Sequence, residues 1–414
     1  MYVTDFPPLI FENMKPKNQP RSYVGIHEFF LDQELLLFSD LNGSLYRLNT
    51  SAAFIWCHQA EGFSIQDTIR AMVDTFGVSA EKAQSDVQAS LSEWRHLGLL
   101  GALNTVPATE NSLPKTENSK SADAKYHPQR LTLAYPYEYC YRLGSGCFQV
   151  RFSTLEAQQA VHPIIAHLEI APNTRCNSIF DITKDSEGYL LSRDFTPLAT
   201  CQNLRELGPL VHGELLVAAC KSSECLAIIH AAAMAKGNYA VLLPGDSGSG
   251  KSTLAAGMLA TGYGYLSDEI VLLTSCPYRV FPLPLSIGLK EGAWPVLSPV
   301  YPILEELPIY QRQDGKKIRY LAPHDISNQA TMGYSVRQII FPSYVAGITT
   351  HVQPIGRAEA FNRIAEGGYD VNRRLNSTTI AELVNWISNI ECWELCYSSL
   401  AESIDHIGEL TRVY

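Results

Sequence analysis

One stretch of the chain has residue types and spacing that point to phosphate chemistry: Gly245-Asp-Ser-Gly-Ser-Gly-Lys-Ser-Thr253. It fits the pattern G-x-x-x-x-G-K-[ST]. Glycines admit backbone angles closed to other residues, so successive N–H groups can converge on one anion. A helix starting at such a loop adds the positive end of its dipole. The apolar run 239–243 reads as a strand entering the loop, and 253–261 reads as a helix leaving it. Gly245, Asp246, Ser247, Gly248, Ser249, Gly250, Lys251, Ser252 and Thr253 are therefore candidates to bind a nucleotide such as ATP. Lys251 is spaced to reach the β- and γ-phosphates, and the Ser252 hydroxyl to meet Mg²⁺. The alternative is a glycine-rich turn ahead of a helix, with no ligand.

Two further pieces flank the loop. Upstream, His230 sits in the apolar segment 226–233. Downstream, the acidic pair Asp268-Glu269 opens the apolar run 270–273. Phosphoryl transfer needs charge neutralisation on the phosphates and a carboxylate near the acceptor hydroxyl. Asp268 follows Lys251 by 17 residues, a short interval for an acidic pair that partners a phosphate loop. Without further context, His230 also reads as a core histidine and Asp268 as a turn residue. Lys316, Lys317 and Arg319 read as a solvated basic turn or as a lid over phosphates.

The whole chain sets bounds on what this site serves. Its 414 residues allow two or three domains. A net charge of −10 argues against a nucleic-acid partner, which needs a basic face. The ten cysteines are scattered without a C-x-x-C pair, so buried free thiols are expected rather than a zinc site. No apolar run is long enough to span a bilayer, and the first residues lack a signal-peptide pattern. A cytoplasmic protein with no membrane partner is expected.

The composition shift at 106–129, rich in Pro, Thr, Glu, Asn, Ser and Lys, reads as a flexible linker. It divides a unit at 1–105 from one at 130–414. In the first, segments 34–38 and 44–48 flank a turn with Asn42-Gly43, a hairpin signal. Three helices follow, the second capped by Ser64 and the third starting at Ser79 with Ala83, Val87, Leu91 and Trp94 on one face. This is a small winged-helix-like pattern. It resembles the PqqD family of peptide chaperones through three motifs. These are Leu45-Tyr-Arg-Leu-Asn-Thr-Ser-Ala-Ala-Phe-Ile-Trp56, Ser64-Ile-Gln-Asp-Thr-Ile69 and Asp86-Val-Gln-Ala-Ser-Leu-Ser-Glu-Trp-Arg-His-Leu-Gly-Leu-Leu100. The resemblance implies that a precursor or leader peptide adds as a strand near Ser44 to Leu48 and contacts the helix from Glu81 to Leu97.

The second unit mixes strands and helices, and reads as α/β. A strand at 148–152 leads to a helix opened by Ser153, with Glu156 completing a capping box. The interval from Lys251 to Asp268, together with His230, makes this unit resemble the HPr kinase/phosphorylase family. That resemblance implies a P-loop kinase domain. Asp268 would be the base at the acceptor hydroxyl, Glu269 and Ser252 would help hold Mg²⁺, and His230 would stand beside the reacting phosphate. Glu269 and Thr253 depart from the family pattern, and the signature linked to phosphorolysis is missing. The expected protein is an ATP- and Mg²⁺-dependent kinase acting on a Ser or Thr hydroxyl of a recruited peptide, and a possible homo-oligomer. A small-molecule hydroxyl kinase and a non-catalytic, nucleotide-gated peptide chaperone are the alternatives.

Overall fold

The computed structural model describes residues 23–32, 34–100, 135–172, 174–324, 333–367 and 376–412. The expected linker at 106–129 lies outside them. Among the described residues, 23–26 and 50–100 form one compact unit, and 27–49 with 135–412 form the other.

The first unit holds three helices, α1 (Thr50–Ala60), α2 (Ile65–Phe76) and α3 (Ala80–His96). Ser64 accepts from the Asp67 N–H at 3.1 Å and Ser79 from the Lys82 N–H at 3.2 Å, so both helices start where a polar side chain satisfies an orphan donor. Trp56 and Trp94 meet edge to face with centroids 5.1 Å apart, while Ala83, Val87 and Leu91 fill the apolar stripe of α3.

The hairpin preceding these helices belongs, by its contacts, with the larger unit. Strands β1 (Ile26–Leu31), β2 (Glu34–Ser39) and β3 (Ser44–Leu48) form an antiparallel sheet in that order. Leu31, Leu36 and Phe38 share a core with Ala358, Phe361 and Trp386, far along the sequence. A period-2 pattern tells which face is apolar but not what will cover it.

In the same unit, β4 (Tyr137–Leu143), β5 (Gly146–Phe152), β6 (Glu169–Ile170), β7 (Ser178–Lys184), β8 (Tyr189–Arg193) and β9 (Thr196–Cys201) form a second sheet ordered β6-β4-β5-β7-β8-β9. Helices α4 (Leu155–Ile165) and α5 (Leu204–Lys221) cover it through Val161, Ile165, Leu207, Val211 and Leu215. The cap of α4 is Thr154, which accepts from the Ala157 N–H, whereas Ser153 accepts from the Lys184 N–H at 3.1 Å. Sequence alone expected Ser153. A neighbouring strand claims that hydroxyl first, and the start moves by one residue.

Two short strands, β10 (Ala227–Ile229) and β11 (Ala231–Lys236), lead to β12 (Tyr239–Pro244), which enters the glycine-rich loop. The loop opens α6 (Lys251–Ala260), followed by β13 (Gly264–Ser267), β14 (Val271–Thr274), β15 (Arg279–Phe281) and β16 (Ile287–Lys290). A one-turn helix α7 (Trp294–Leu297) precedes β17 (Tyr310–Gln311) and β18 (Lys317–Leu321). Then come β19 (Ser335–Tyr344), β20 (His351–Pro354), α8 (Arg357–Glu366), α9 (Ser377–Ile387), β21 (Glu391–Tyr397) and α10 (Leu400–Leu410). The main sheet runs β13-β11-β12-β19-β21-β20, parallel at its centre, where β12 pairs β19 and β19 pairs β21. Strand β12 is apolar on both faces, as a strand between helical layers must be. Ala240 and Leu242 face α8 and α9, while Val241 and Leu243 face α6 and α10. Two further three-stranded sheets are ordered β10-β14-β15 and β16-β18-β17.

Asp32 ties the hairpin to α8. Its carboxylate accepts from the Arg357 backbone N–H and from Arg357 Nη1, both at 2.7 Å. Gly356, the residue at the cap position, has no side chain to do this. Asp32→Ala is expected to lower stability by about 1–2 kcal/mol, the usual worth of a cap, since the ion pair itself is partly solvated. Urea unfolding with an unchanged midpoint would contradict this linkage.

Candidate functional site

The loop after β12 sits at the carboxyl ends of the parallel strands, the position where open α/β sheets gather ligands. Its turn is made possible by Gly248 (φ +102°) and Gly250 (φ +93°). A Cβ on Gly250 would lie 2.0 Å from Tyr397 Oη, so glycine is required there for space as well as for angle. Tyr397 Oη donates to Gly250 O at 3.3 Å, and the Tyr344 N–H donates to Ser249 O at 3.2 Å. The ends of β21 and β19 thus hold the loop in shape. Among the described residues no side chain caps α6, whose first N–H groups face the loop and suit an anion.

Lys251 begins α6 and is buried. Its Nζ donates to Gly245 O and, at 3.0 Å, to Asp246 O. Burial lowers its pKa, and the nearby Asp268 carboxylate opposes that shift. Asp268 lies between β13 and β14 and is also buried. It accepts from the Gly288 N–H at 3.3 Å and from the Ser252 hydroxyl. Burial first, and then the charge of Glu269, push its carboxyl up to about 7. The bonds from Ser252 and Gly288 and the charge of Lys251 act the other way. His230 falls in the break between β10 and β11. Burial and then the Lys251 charge lower its pKa, so the ring is neutral at pH 7. Its hydrogen bond with the Glu269 backbone ties it to the acidic pair.

These residues border one cleft of about 1000 Å³. Of the candidates named from sequence, Asp246, Ser247, Gly248, Gly250, Lys251, Ser252, Thr253, His230, Asp268 and Glu269 line it. Gly245 and Ser249 shape the loop without lining the cleft. Several contributors were invisible to motif reading because they arrive from distant elements. Gly288 comes from β16, Tyr344 and Tyr397 from strand ends, and a wall of the cleft from α5. Lys290 Nζ donates to Ser247 Oγ at 2.9 Å, and burial with the charges of Lys316 and Arg312 lowers its pKa. Lys316 pairs with Asp314 and Lys317 with Glu291, each at 3.1 Å, while Arg319 stacks 4.3 Å from the Trp294 ring centroid. Lys317 and Arg319 lie on strand β18 and only Lys316 in the loop before it, so the trio is not one solvated turn, and these partners argue against a mobile lid. No three His, Cys, Asp or Glu side chains among the described residues converge to hold a metal by themselves. No described helix is long and apolar enough to cross a membrane.

The strand expected to take a peptide, β3, stands at the edge of its sheet. Ser44, Leu45 and Tyr46 are half-buried, and Arg47 pairs with Glu34 at 3.0 Å. Residues 34–100, the hairpin and α1–α3, match the family model for Coenzyme PQQ synthesis protein D (PqqD). They form a PqqD-like domain within a mixed α/β protein. No curated protein matches the chain. Among solved structures, "TbiB1 in Complex with the TbiA(beta) Leader Peptide" aligns with 20% of this chain and 99% of that chain. The identity is 18% and the TM-score 0.19, too weak a likeness to carry an argument.

The shift at Asp268 has a consequence for stability. A carboxyl raised from 3.8 to about 7 keeps its proton in the folded chain after the unfolded chain has lost it. Folding stability therefore falls as pH rises between those values and is level above them. In metal-free buffer, Asp268→Asn is expected to gain stability over the wild type progressively from about pH 4 to about pH 7, with a constant advantage beyond. Thermal unfolding curves with a pH-independent difference would contradict the burial argument.

Proposed function

We propose that the chain is a kinase that moves the γ-phosphoryl group of ATP to a Ser or Thr hydroxyl of a ribosomally made peptide. In this reading, the PqqD-like domain recruits the leader portion of that peptide. One observation supports it above the others: buried Lys251 and Asp268 and half-buried Ser252 are coupled at the mouth of a glycine-rich loop, inside one cleft. The resemblance to HPr kinases points the same way.

The residues suit the chemistry. Lys251 Nζ, held by two loop carbonyls, has the reach to exchange them for phosphate oxygens. Loop N–H groups and the start of α6 receive the remaining phosphate charge. Ser252, Asp268 and Glu269 offer hard oxygen donors of the kind Mg²⁺ takes alongside phosphates. When bound, Mg²⁺ neutralises charge on the β- and γ-phosphates. Asp268, with its pKa near neutrality, is tuned to accept the acceptor hydroxyl proton at a carboxylate oxygen. The acceptor oxygen forms a bond to the γ-phosphorus as the bond to the β–γ bridging oxygen breaks, and ADP leaves with that electron pair. Neutral His230 stands at the same cleft as a hydrogen-bonding group for the moving phosphoryl oxygens. The family of the matching domain supports peptide delivery. An extended leader adding to the β3 edge is held by backbone hydrogen bonds, and tethering raises the local acceptor concentration.

Lys251→Ala is expected to weaken binding of ATP with Mg²⁺ at least tenfold, about 1.4 kcal/mol, by calorimetry. Asp268→Asn is expected to hold that affinity within a few-fold while turnover drops by about 10²- to 10⁴-fold. Unchanged ATP affinity in a folded Lys251→Ala protein would remove the loop as the nucleotide site. Near-normal turnover in Asp268→Asn would remove Asp268 as the base.

A further inference from the structure

Helix α5 contains a glycine that packing does not explain. Gly208, in the same helix, is needed because a Cβ there would lie 2.6 Å from the Tyr310 ring. Gly213 is different: it is exposed, and a Cβ on it would meet nothing within 4 Å. A glycine inside an 18-residue helix weakens that helix relative to alanine, with no gain in packing to offset it. What a missing side chain does provide is close approach to the helix backbone. Gly213 makes that approach available inside the cleft, because it lines the same space as Lys251 and Asp268.

The neighbours of Gly213 define what approaches. Leu210, Gly213, Glu214 and Val217 follow helical spacing and lie on one face, and all four line the cleft. On the buried side of the helix, His212 Nε2 donates to the Ser286 carbonyl at 3.1 Å, and the ring feels the charge of Glu269. That places this turn of α5 beside the acidic pair. Glu214 is half-buried and has no ion-pair partner among the described residues. Lys290 and Arg312 line the cleft as well and supply its positive charge. The cleft is thus polarised. Its cationic part suits phosphates, and its α5 wall offers two carboxylates: Glu206, already held by the Gln202 N–H and Asn203, and Glu214, flanked by two apolar side chains.

We propose that this face of α5 is the acceptor subsite, and that it takes a peptide with a basic residue close to the phosphorylated hydroxyl. The acceptor main chain crosses α5 at Gly213, an apolar side chain sits between Leu210 and Val217, and a lysine or arginine pairs with Glu214. The proposal rests on reading the cleft as a phosphoryl-transfer site, and names the chemistry of its second substrate.

The test uses the full chain, γ-labelled ATP with Mg²⁺, and a positional library of synthetic peptides with one fixed serine. Thermal unfolding checks the fold, and calorimetry follows ATP affinity. The wild type is expected to prefer Lys or Arg at one position near the serine. Glu214→Lys is expected to reverse that preference to Asp or Glu by at least tenfold at the same position. Gly213→Trp is expected to cut transfer at least tenfold, with ATP affinity within twofold of wild type. An unreversed preference in Glu214→Lys, or wild-type transfer by folded Gly213→Trp, overturns the acceptor subsite while leaving the kinase reading in place. Transfer to no peptide despite ATP binding overturns the peptide acceptor. Failure to bind ATP at all overturns the underlying reading of the cleft.

Discussion

The large unit is organised around a buried cation and a buried acid that share one small space. Lys251 and Asp268 are both largely hidden from water, and each burial is costly alone. Lys251 is satisfied by the carbonyls of Gly245 and Asp246, and Asp268 by the Gly288 N–H and the Ser252 hydroxyl. Each also moderates the pKa shift of the other. For this to work, the loop after β12, the turn between β13 and β14, and strand β16 must meet within hydrogen-bonding distance. The central sheet and its two helical layers serve that requirement.

A satisfied buried pair of this kind is also a poised one. The lysine is held by neutral carbonyls, which an anion with more charge can displace. The acid is held near neutral pH between its two protonation states, where a proton acceptor is most useful. Around the pair, Tyr344 and Tyr397 fix the loop from the far ends of β19 and β21. The site's geometry therefore depends on strands contributed from residues 335 to 397, long after the motif itself.

Much of this was legible in the sequence, and the limits follow from where the information lies. The loop, its strand and its helix are contiguous, so glycine spacing and an apolar run were enough to place the loop 245–250 between β12 and α6. Asp268, Glu269 and His230 stood out only through their spacing from the loop and the resemblance it carries, and the structure brings them to one cleft. The caps at Ser64 and Ser79 were local as well. Gly288, Tyr397 and Gly213 were not legible as parts of the site, because each reaches it through tertiary pairing that no short window encodes. Strands β2 and β3 were legible while β1 was not, and their company was hidden: Leu36 and Phe38 announce an apolar face, while their packing with Ala358 and Phe361 is set more than 300 residues away.

The central claim is that Lys251 exchanges loop carbonyls for phosphates in the cleft beside Asp268. The most direct measurement is a crystal structure of the full chain with a non-hydrolysable ATP analogue and Mg²⁺. The account predicts the triphosphate wrapped by 245–252, with Lys251 Nζ moved from Gly245 O and Asp246 O onto the β- and γ-phosphate oxygens. It also predicts the γ-phosphate facing Asp268. A nucleotide bound elsewhere, or bound in the cleft with Lys251 still on the two carbonyls, would contradict it.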